Sequence, residues 1–208
     1  MPTDLHELVT PSRTAVLTME MQRGITGDKA MMTELRDLMV EAGTIANIAS
    51  IVWRARDAGA RVVHCTAETR PDGAGRVDNC RLLAATAAGA ALLNPGSDGA
   101  QLIPELGVDE ADIVLPRLHG LTPFTSTSLD QILRNLGVTT VVATGNSVNV
   151  GILGLVISAV DLGYQVVVAR DAVAGVPVDY VDAVMANTIG LLATVVSTAD
   201  LLRAWPER

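Results

Sequence analysis

This sequence has few aromatic residues, few cysteines and no long apolar segment, and each shortage excludes a class of protein. With two Trp, two Tyr and one Phe in 208 residues, the core has to be built from Ala, Val, Leu and Ile. Two cysteines without the spacing of a disulfide scaffold are typical of a reducing compartment, which predicts a cytoplasmic protein. No segment approaches the roughly 20 apolar residues of a membrane span, and the first residues lack a signal-peptide pattern, so no membrane partner is expected.

Positive charge is also scarce. The 15 Lys and Arg residues are outnumbered by 23 Asp and Glu residues, which gives a formal net charge of −8. Nucleic acid binding requires a basic surface, so nucleic acid is not an expected partner.

What the chain does contain is a regular alternation of apolar runs and helix-like segments. The runs are rich in Val and Ile and barely alternate, as expected for strands covered on both faces. They are Ala15–Met19, Arg61–Cys65, Asp112–Leu115, Thr140–Ala143, Gln165–Ala169 and Thr194–Ser197.

The segments between these runs have helical character and complete the fold prediction. They are Glu41–Ala58, Arg81–Ala91, Ser128–Leu136, Val150–Leu162 and Asp179–Leu192. Alternation of strands and helices predicts a three-layer α/β fold with a doubly wound, mostly parallel sheet of about six strands. We expect a single domain over residues 1–208, with residues 1–12 as a flexible arm. Ligands of such sheets bind at the carboxyl ends of the strands.

A sharp turn between a predicted strand and a predicted helix is the most informative local feature. The turn covers residues 144–151 and leads from one apolar run into the next. The unpaired N–H groups at the start of a helix favour negative charge, so this turn is a suitable place for a nucleophile. The residue at that place is Gly151, which has no side chain.

Five segments, in this order along the chain, together resemble the isochorismatase-like, or cysteine hydrolase, superfamily. They are Thr14–Gln22 at the first strand, Val114–Arg117 at the third, Phe124–Asp130 at a helix entry, Gly145–Gly151 at the turn and Gly163–Ala172 at the next strand. The resemblance covers nearly the whole chain and implies a hydrolase with an Asp–Lys–Cys triad. Members of the superfamily are commonly dimers or larger, so it also implies a homo-oligomer.

The chain departs from that triad at all three positions. Glu20 stands for the Asp and Gly151 for the Cys, while the Lys position falls on Leu115, or on Leu118 if a local insertion is placed earlier. The thiol mechanism therefore does not carry over. The chain also resembles the true isochorismatase branch, which has Gly at the cysteine position. That resemblance implies a carboxyl group that protonates a vinyl ether carbon before water completes the cleavage.

Glu20 is the residue on which the predicted chemistry depends. It directly follows an apolar strand, so its carboxyl group is expected to be partly removed from water. Burial without a nearby lysine favours the neutral acid, which donates a proton. The sequence thus predicts an isochorismatase-like hydrolase that acts on a small molecule by general acid/base chemistry through Glu20, without a covalent cysteine intermediate. No cofactor is predicted, and no cluster of metal-ligand residues predicts a metal site.

Side chains near the predicted strand ends are candidates for binding the substrate. Arg117 is suited to a substrate carboxylate, and His119 is suited to proton transfer near neutral pH. Phe124 is a candidate pocket wall. Their structural alternatives are an ion pair, a plain loop histidine and a helix anchor. Gln22 either packs under Glu20 or hydrogen-bonds a loop.

The turn itself is expected to hold a ligand. Its candidate residues are Asn146, Ser147, Asn149 and Val150. The resemblance implies a cis peptide bond at Asn146–Ser147, which aims backbone N–H groups at a substrate oxygen. It leaves the N–H groups of Val150 and Gly151 as a possible oxyanion hole.

Other interpretations stay open. The chain can be a catalytically inactive family member with a ligand-binding or assembly role, and the apolar helix at Val150–Leu162 favours a subunit contact. Residues 149–154, with Asp171 as the acidic residue, form an incomplete dinucleotide-binding fingerprint. Cys65 is interpreted as a small buried apolar residue rather than a substitute nucleophile, and no role is assigned to Cys80.

Overall fold

A parallel six-stranded sheet forms the centre of the protein, whose computed structural model describes residues 4–125 and 127–205. The order across the sheet is β3-β2-β1-β4-β5-β6, and each neighbouring pair is parallel. This confirms the predicted doubly wound α/β fold. The strands are β1 (Thr14–Met19), β2 (Arg61–Ala67), β3 (Ile113–Arg117), β4 (Thr140–Asn146), β5 (Gln165–Ala174) and β6 (Thr194–Val196).

Helices cover both faces of the sheet, and no helix in the described ranges is both long and apolar enough to cross a membrane. Two of the predicted helices contain π-helical turns, at Val148–Ile152 and at Met185–Ile189. The α-helices are α1 (Leu5–Leu8), α2 (Thr33–Glu41), α3 (Thr44–Ala58), α4 (Arg81–Ala85), α5 (Leu129–Asn135), α6 (Leu153–Asp161), α7 (Val178–Val184), α8 (Gly190–Leu192) and α9 (Thr198–Ala204).

The core consists of two apolar layers, one on each face of the sheet. Successive side chains of a strand point to opposite faces, so Leu17 and Met19 of β1 lie in the layer with α5, α6 and α7. Val16 lies in the other layer, with α2, α3 and α9. Because every residue of β1 is buried, this strand holds whatever follows it in a fixed position.

The N-terminal segment is part of this packing from Asp4 onward. Leu8 and Val9 are buried. The Thr140 hydroxyl donates to the Leu8 carbonyl, and Trp205 Nε1 donates to the Val9 carbonyl, both at 2.7 Å. The predicted flexible arm is therefore wrong for residues 4–12, and its first three residues lie outside the described range.

The irregular region after β2 ends in a strap, residues 99–103, that runs along the exit of β1. Backbone N–H groups of Ile103, Arg23 and Gly24 donate to the carbonyls of Met21, Gln101 and Gly99 at 3.1, 2.8 and 2.8 Å. These hydrogen bonds fix the strap against residues 21–24, directly after Glu20.

Candidate functional site

The carboxyl ends of three strands bring the candidate residues together. Glu20 directly follows β1, Arg117 is the last residue of β3 and Asn146 is the last residue of β4. Because all strands are parallel, these ends lie at the same edge of the sheet, where ligands of such folds bind. The sequence predicted this edge as the site.

Glu20 occupies a strained backbone position at this edge. Its φ is +55°, and it is the one described residue other than glycine with a positive φ. Its N–H donates to the Cys65 carbonyl at 2.9 Å, and Asn146 Nδ2 donates to the carbonyls of Met19 and Glu20, both at 3.2 Å. These bonds from both neighbouring strands hold the backbone at Glu20 in place, and 21% of its side chain is exposed.

Glu20 forms an ion pair with Arg117, a partner that the sequence did not predict for it. Arg117 Nη2 forms an ion pair with Glu20 Oε1, and Arg117 Nε donates to the Gly120 carbonyl at 3.0 Å. The expectation of a carboxyl group buried without a cation is therefore wrong. Of the two residues aligned with the family lysine, Leu115 packs partly buried against the core and Leu118 is exposed.

The ion pair changes the chemistry expected of the site. The neutral general acid predicted from the sequence depended on the absence of a nearby cation, and the ion pair with Arg117 removes that basis. A carboxylate that keeps part of its surface exposed is suited to accept a proton.

Two nitrogen atoms next to this pair have unused hydrogen-bonding capacity. Among the described residues, Arg117 Nη1 and His119 Nδ1 are buried without a hydrogen-bond partner. A buried polar group without a partner costs about 1–3 kcal/mol. Arg117 ends β3 and His119 lies two residues further on. A ligand atom that hydrogen-bonds to either nitrogen would remove part of this cost.

Gly151 is surrounded closely. A Cβ atom at this position would lie 3.0 Å from the Asn146 carbonyl oxygen and 3.1 Å from Met19 Cε. The end of the buried Met19 side chain thus lies next to the place where a cysteine side chain would begin. Gly151 contributes backbone only, as expected, but the space beside it is narrow.

Most of the polar groups in the turn are already used within the protein. The peptide bond Asn146–Ser147 is cis, as the resemblance implied. The Ser147 hydroxyl donates to Asn149 Oδ1, and Asn149 Nδ2 donates to the Val176 carbonyl at 3.4 Å. The Val150 N–H donates to the Ser147 carbonyl at 3.1 Å, so the prediction that it is a free oxyanion donor is wrong.

Gln22 and Phe124 have structural contacts instead of the predicted contacts with substrate. Gln22 is fully buried, and its Nε2 donates to the Ala67 and Ala100 carbonyls at 2.9 and 3.1 Å while its Oε1 accepts from the Ala67 N–H at 2.8 Å. Phe124 packs in the core, 5.9 Å from the Tyr164 ring centroid. Both amide hydrogens of Gln22 are engaged, so it positions the strap and β2.

Cys65 and Asp171 also have structural roles. Burial raises the pKa of the Cys65 thiol to about 12, which keeps it protonated although Arg117 lies nearby. Cys80 is exposed, directly before α4. Asp171 Oδ1 accepts from the N–H and the hydroxyl of Thr198 at the start of α9. The acidic residue of the dinucleotide interpretation is thus engaged in holding this helix.

A buried polar network below the site was not singled out from the sequence. Thr18 Oγ1 and His64 Nδ1 are 2.8 Å apart, and His64 Nε2 lies 3.1 Å from Asp112 Oδ2. Arg56 Nη2 completes the network at 2.5 Å from the same Asp112 oxygen. The sequence signal for this network was His64, a histidine in the middle of an apolar strand. A buried imidazole needs polar partners, so this position indicated that such partners lie nearby.

Two cavities lie apart from Glu20. One, of about 490 Å³, is bordered by α7, the π-helical turn 185–189 and β6. The other, of about 260 Å³, lies beside Arg56 and Asp112, at the opposite end of β2 and β3. Neither is lined by Glu20, Arg117 or Gly151.

Comparison with known proteins identifies relatives along most of the chain. The isochorismatase domain family matches residues 14–200. An uncharacterized isochorismatase family protein of Bacillus subtilis is 38% identical over 77 residues, or 36% of this chain and 40% of that protein. A secreted isochorismatase effector of Verticillium dahliae is 28% identical over 161 residues, or 74% of this chain and 75% of that protein.

Solved structures agree with this assignment at the level of the fold. A cysteine hydrolase from Pseudomonas syringae superposes with a TM-score of 0.79 at 23% identity, covering 95% of this chain and 94% of that one. The matched family region, 14–200, contains all six strands together with Glu20, Arg117 and Gly151. The chain therefore belongs to the isochorismatase family.

Proposed function

We propose that this chain is a hydrolase that acts on a small molecule by general acid/base chemistry through Glu20, without a covalent cysteine intermediate. The observation that carries the proposal is the partly exposed Glu20 carboxylate, held in a strained backbone conformation and paired with the buried Arg117. Strained residues with a fixed charge partner are concentrated at functional sites.

The ion pair gives the proposed reaction its direction. Glu20 accepts a proton from a water molecule while the water oxygen bonds to the electrophilic carbon of the substrate. When the bond to the leaving group breaks, the protonated Glu20 returns that proton to the leaving atom. Arg117 lies against the Glu20 carboxyl group, and its Nη1 is available to donate to a substrate oxygen.

Replacing Glu20 by Gln tests the proposal directly. The amide keeps the size of the side chain but cannot accept the proton, so hydrolysis should fall by about 100-fold or more, the contribution typical of general acid–base catalysis. A panel of amides, esters and vinyl ethers provides the measurement. The exposed Glu105→Gln variant is the control and should keep wild-type turnover. Full turnover in Glu20→Gln would exclude this role.

The close packing around Gly151 favours a second candidate, a ligand-binding family member without catalysis. With the end of Met19 beside Gly151, there is little space for a reacting group on that side of Glu20. In that case the wild-type protein would hydrolyse no compound of the panel, yet one of them would raise its melting temperature. Turnover that depends on Glu20 would exclude this candidate.

For the compartment we propose the cytoplasm, although the Verticillium relative is named as a secreted effector. Cys65 and Cys80 are free thiols, and Cys80 is exposed. Exposed free thiols persist in a reducing compartment. A cytoplasmic protein would act on intracellular small molecules.

A further inference from the structure

The larger of the two cavities has the size of a small-molecule site. Its volume is about 490 Å³, and ligand pockets usually have volumes of about 300–1,000 Å³. The π-helical turn 185–189 forms part of its border, and turns of this kind are frequently found at functional sites. The hydrolysis proposed above does not use this cavity, so its lining indicates a separate role.

Four of the six lining residues are apolar or glycine. Met185 and Ala186 belong to the π-helical turn, Gly190 directly follows it, and Val195 lies in β6. The Met185 side chain is almost completely buried in the core, which fixes this wall of the cavity. Ala186 and Gly190 take up little space. An apolar group of a ligand would therefore leave water for a largely apolar surface.

The two remaining lining residues carry opposite charges. Arg170 Nη2 and Asp182 Oδ1 form an ion pair at 2.5 Å, with 48% and 58% of their side chains exposed. Arg170 directly follows Ala169, the last β5 residue that pairs with β6, and Asp182 lies in α7. Because about half of each side chain is exposed, both charges are still hydrated. A ligand that covers them has to replace this hydration with polar groups of its own.

A ligand that carries both charges suits this pair better than a ligand with one. A carboxylate alone would pair with Arg170 but would lie close to the like charge of Asp182, and an ammonium group alone would meet the converse problem. A zwitterion completes a ring of four alternating charges. Since Arg170 and Asp182 are in direct contact, the two ligand charges must also be close together. An α-amino acid carries both on one carbon atom.

We infer that this cavity is a binding site for an α-amino acid with an apolar side chain. The carboxylate accepts hydrogen bonds from Arg170, and the ammonium group donates to Asp182. The side chain of the ligand packs against Met185 and Val195. Glu20, Arg117 and Gly151 do not line the cavity, so this inference does not depend on the proposed hydrolysis.

An NMR titration of the isotope-labelled protein with L-leucine tests this inference. The amide signals of Ala186 and Gly190 should shift saturably, with a dissociation constant of about 1–10 mM because partly exposed ion pairs contribute little free energy. L-Leucinamide lacks the carboxylate, N-acetyl-L-leucine lacks the ammonium group and glycine lacks the apolar side chain. Each should bind at least about 10-fold more weakly.

Two variants connect the binding to the lining residues. Ala186→Leu places a larger side chain at the cavity and should abolish the binding of L-leucine. Asp182→Asn should weaken it about 10-fold and remove the preference for L-leucine over N-acetyl-L-leucine. Both positions are exposed, so both variants should keep the circular dichroism spectrum of the wild type. Ala46→Leu, at an exposed alanine of α3 on the other face of the sheet, is the matched control and should bind normally.

Glu20→Gln should bind L-leucine as the wild type does, whatever its effect on hydrolysis. Loss of binding in Glu20→Gln would place the amino acid at the strand ends and overturn the inference. A wild-type protein that does not bind L-leucine, or an Ala186→Leu variant that binds it normally, would overturn it as well. Glycine that binds as tightly as L-leucine would contradict the role of the apolar walls.

Discussion

At the scale of single residues, the surroundings of Gly151 leave little room for the side chain of a cysteine, so the position differs from a cysteine position in packing as well as in chemistry. Its missing side chain would meet a backbone oxygen, which is fixed, and the end of Met19, which is flexible. Overpacking of this kind typically costs 1–3 kcal/mol. The position is therefore adapted to glycine by its surroundings.

The Gly151→Ala variant should accordingly be less stable than the wild type by about 1–3 kcal/mol, because the Asn146 carbonyl cannot move away without disturbing β4. Gly154→Ala is the matched control. A Cβ there would meet only Thr122 Cβ, at 3.5 Å, and alanine suits a helix interior better than glycine. Urea unfolding of both variants gives the comparison, and a Gly151→Ala protein as stable as Gly154→Ala would contradict the prediction.

The sequence located Glu20 and Gly151 but not the pairing of Glu20 with Arg117. The two paired residues are separated by 97 positions, and strand patterns specify where a strand ends, not how far a long side chain reaches. Alignment with the family placed the lysine position on Leu115 or Leu118. The guanidinium of Arg117, which lies between these two positions, was therefore not recognised as the partner of Glu20.

At the scale of elements, the end of β4 determines the position of the residue after β1. Asn146 uses its side chain to hold the carbonyls of Met19 and Glu20, whereas Gly145 allows the strands to approach. A Cβ at Gly145 would lie 2.3 Å from the Met19 carbonyl oxygen. The two strands therefore specify the orientation of Glu20 jointly.

Removing this support with Asn146→Ala should delete two hydrogen bonds to the Met19 and Glu20 carbonyls and cost about 1–3 kcal/mol of stability. Hydrolysis should fall as well, because Glu20 loses its fixed orientation. Asn187→Ala is the control, since Asn187 Nδ2 bonds only the Ala183 carbonyl of its own exposed turn. Chemical unfolding and turnover of both variants are the measurements, and equal effects would argue against a specific role for Asn146.

The elements themselves could largely be predicted from the sequence, since each predicted strand overlaps an observed one. Short apolar runs rich in Val and Ile carry this information locally. The π-helical turns at 148–152 and 185–189 could not be predicted, because they arise from how the chain enters and leaves packed helices. For the same reason the N-terminal segment was interpreted as an arm. Its anchors, Thr140 and Trp205, are distant in sequence.

At the scale of the whole molecule, the network of Thr18, His64, Asp112 and Arg56 connects β1, β2 and the residue before β3 with α3. Burial lowers the pKa of His64 below its ordinary value of 6.5, and the hydrogen bond with Asp112 opposes this only in part. Burial of Asp112 would by itself raise its pKa, but hydrogen bonds from Arg56, the Asp109 N–H and His64 bring that pKa below 3.8. Both shifts make folding sensitive to acid.

Stability should therefore decrease as the pH falls below about 6.5, because the unfolded chain binds a proton at His64 that the folded chain does not. The slope from this one group is at most about 1.4 kcal/mol per pH unit. Urea unfolding between about pH 7 and pH 5 measures it. The His64→Gln variant provides the reference in which only other groups titrate. Identical slopes in both proteins would contradict the prediction.

The left-handed backbone conformation of Glu20 has a cost in folding free energy. A left-handed conformation costs a residue with a side chain about 1–2 kcal/mol, and glycine would adopt it freely. On grounds of stability alone, glycine would therefore be the better residue at this place. An acidic side chain here is a cost to folding that the proposed role of the carboxyl group would explain.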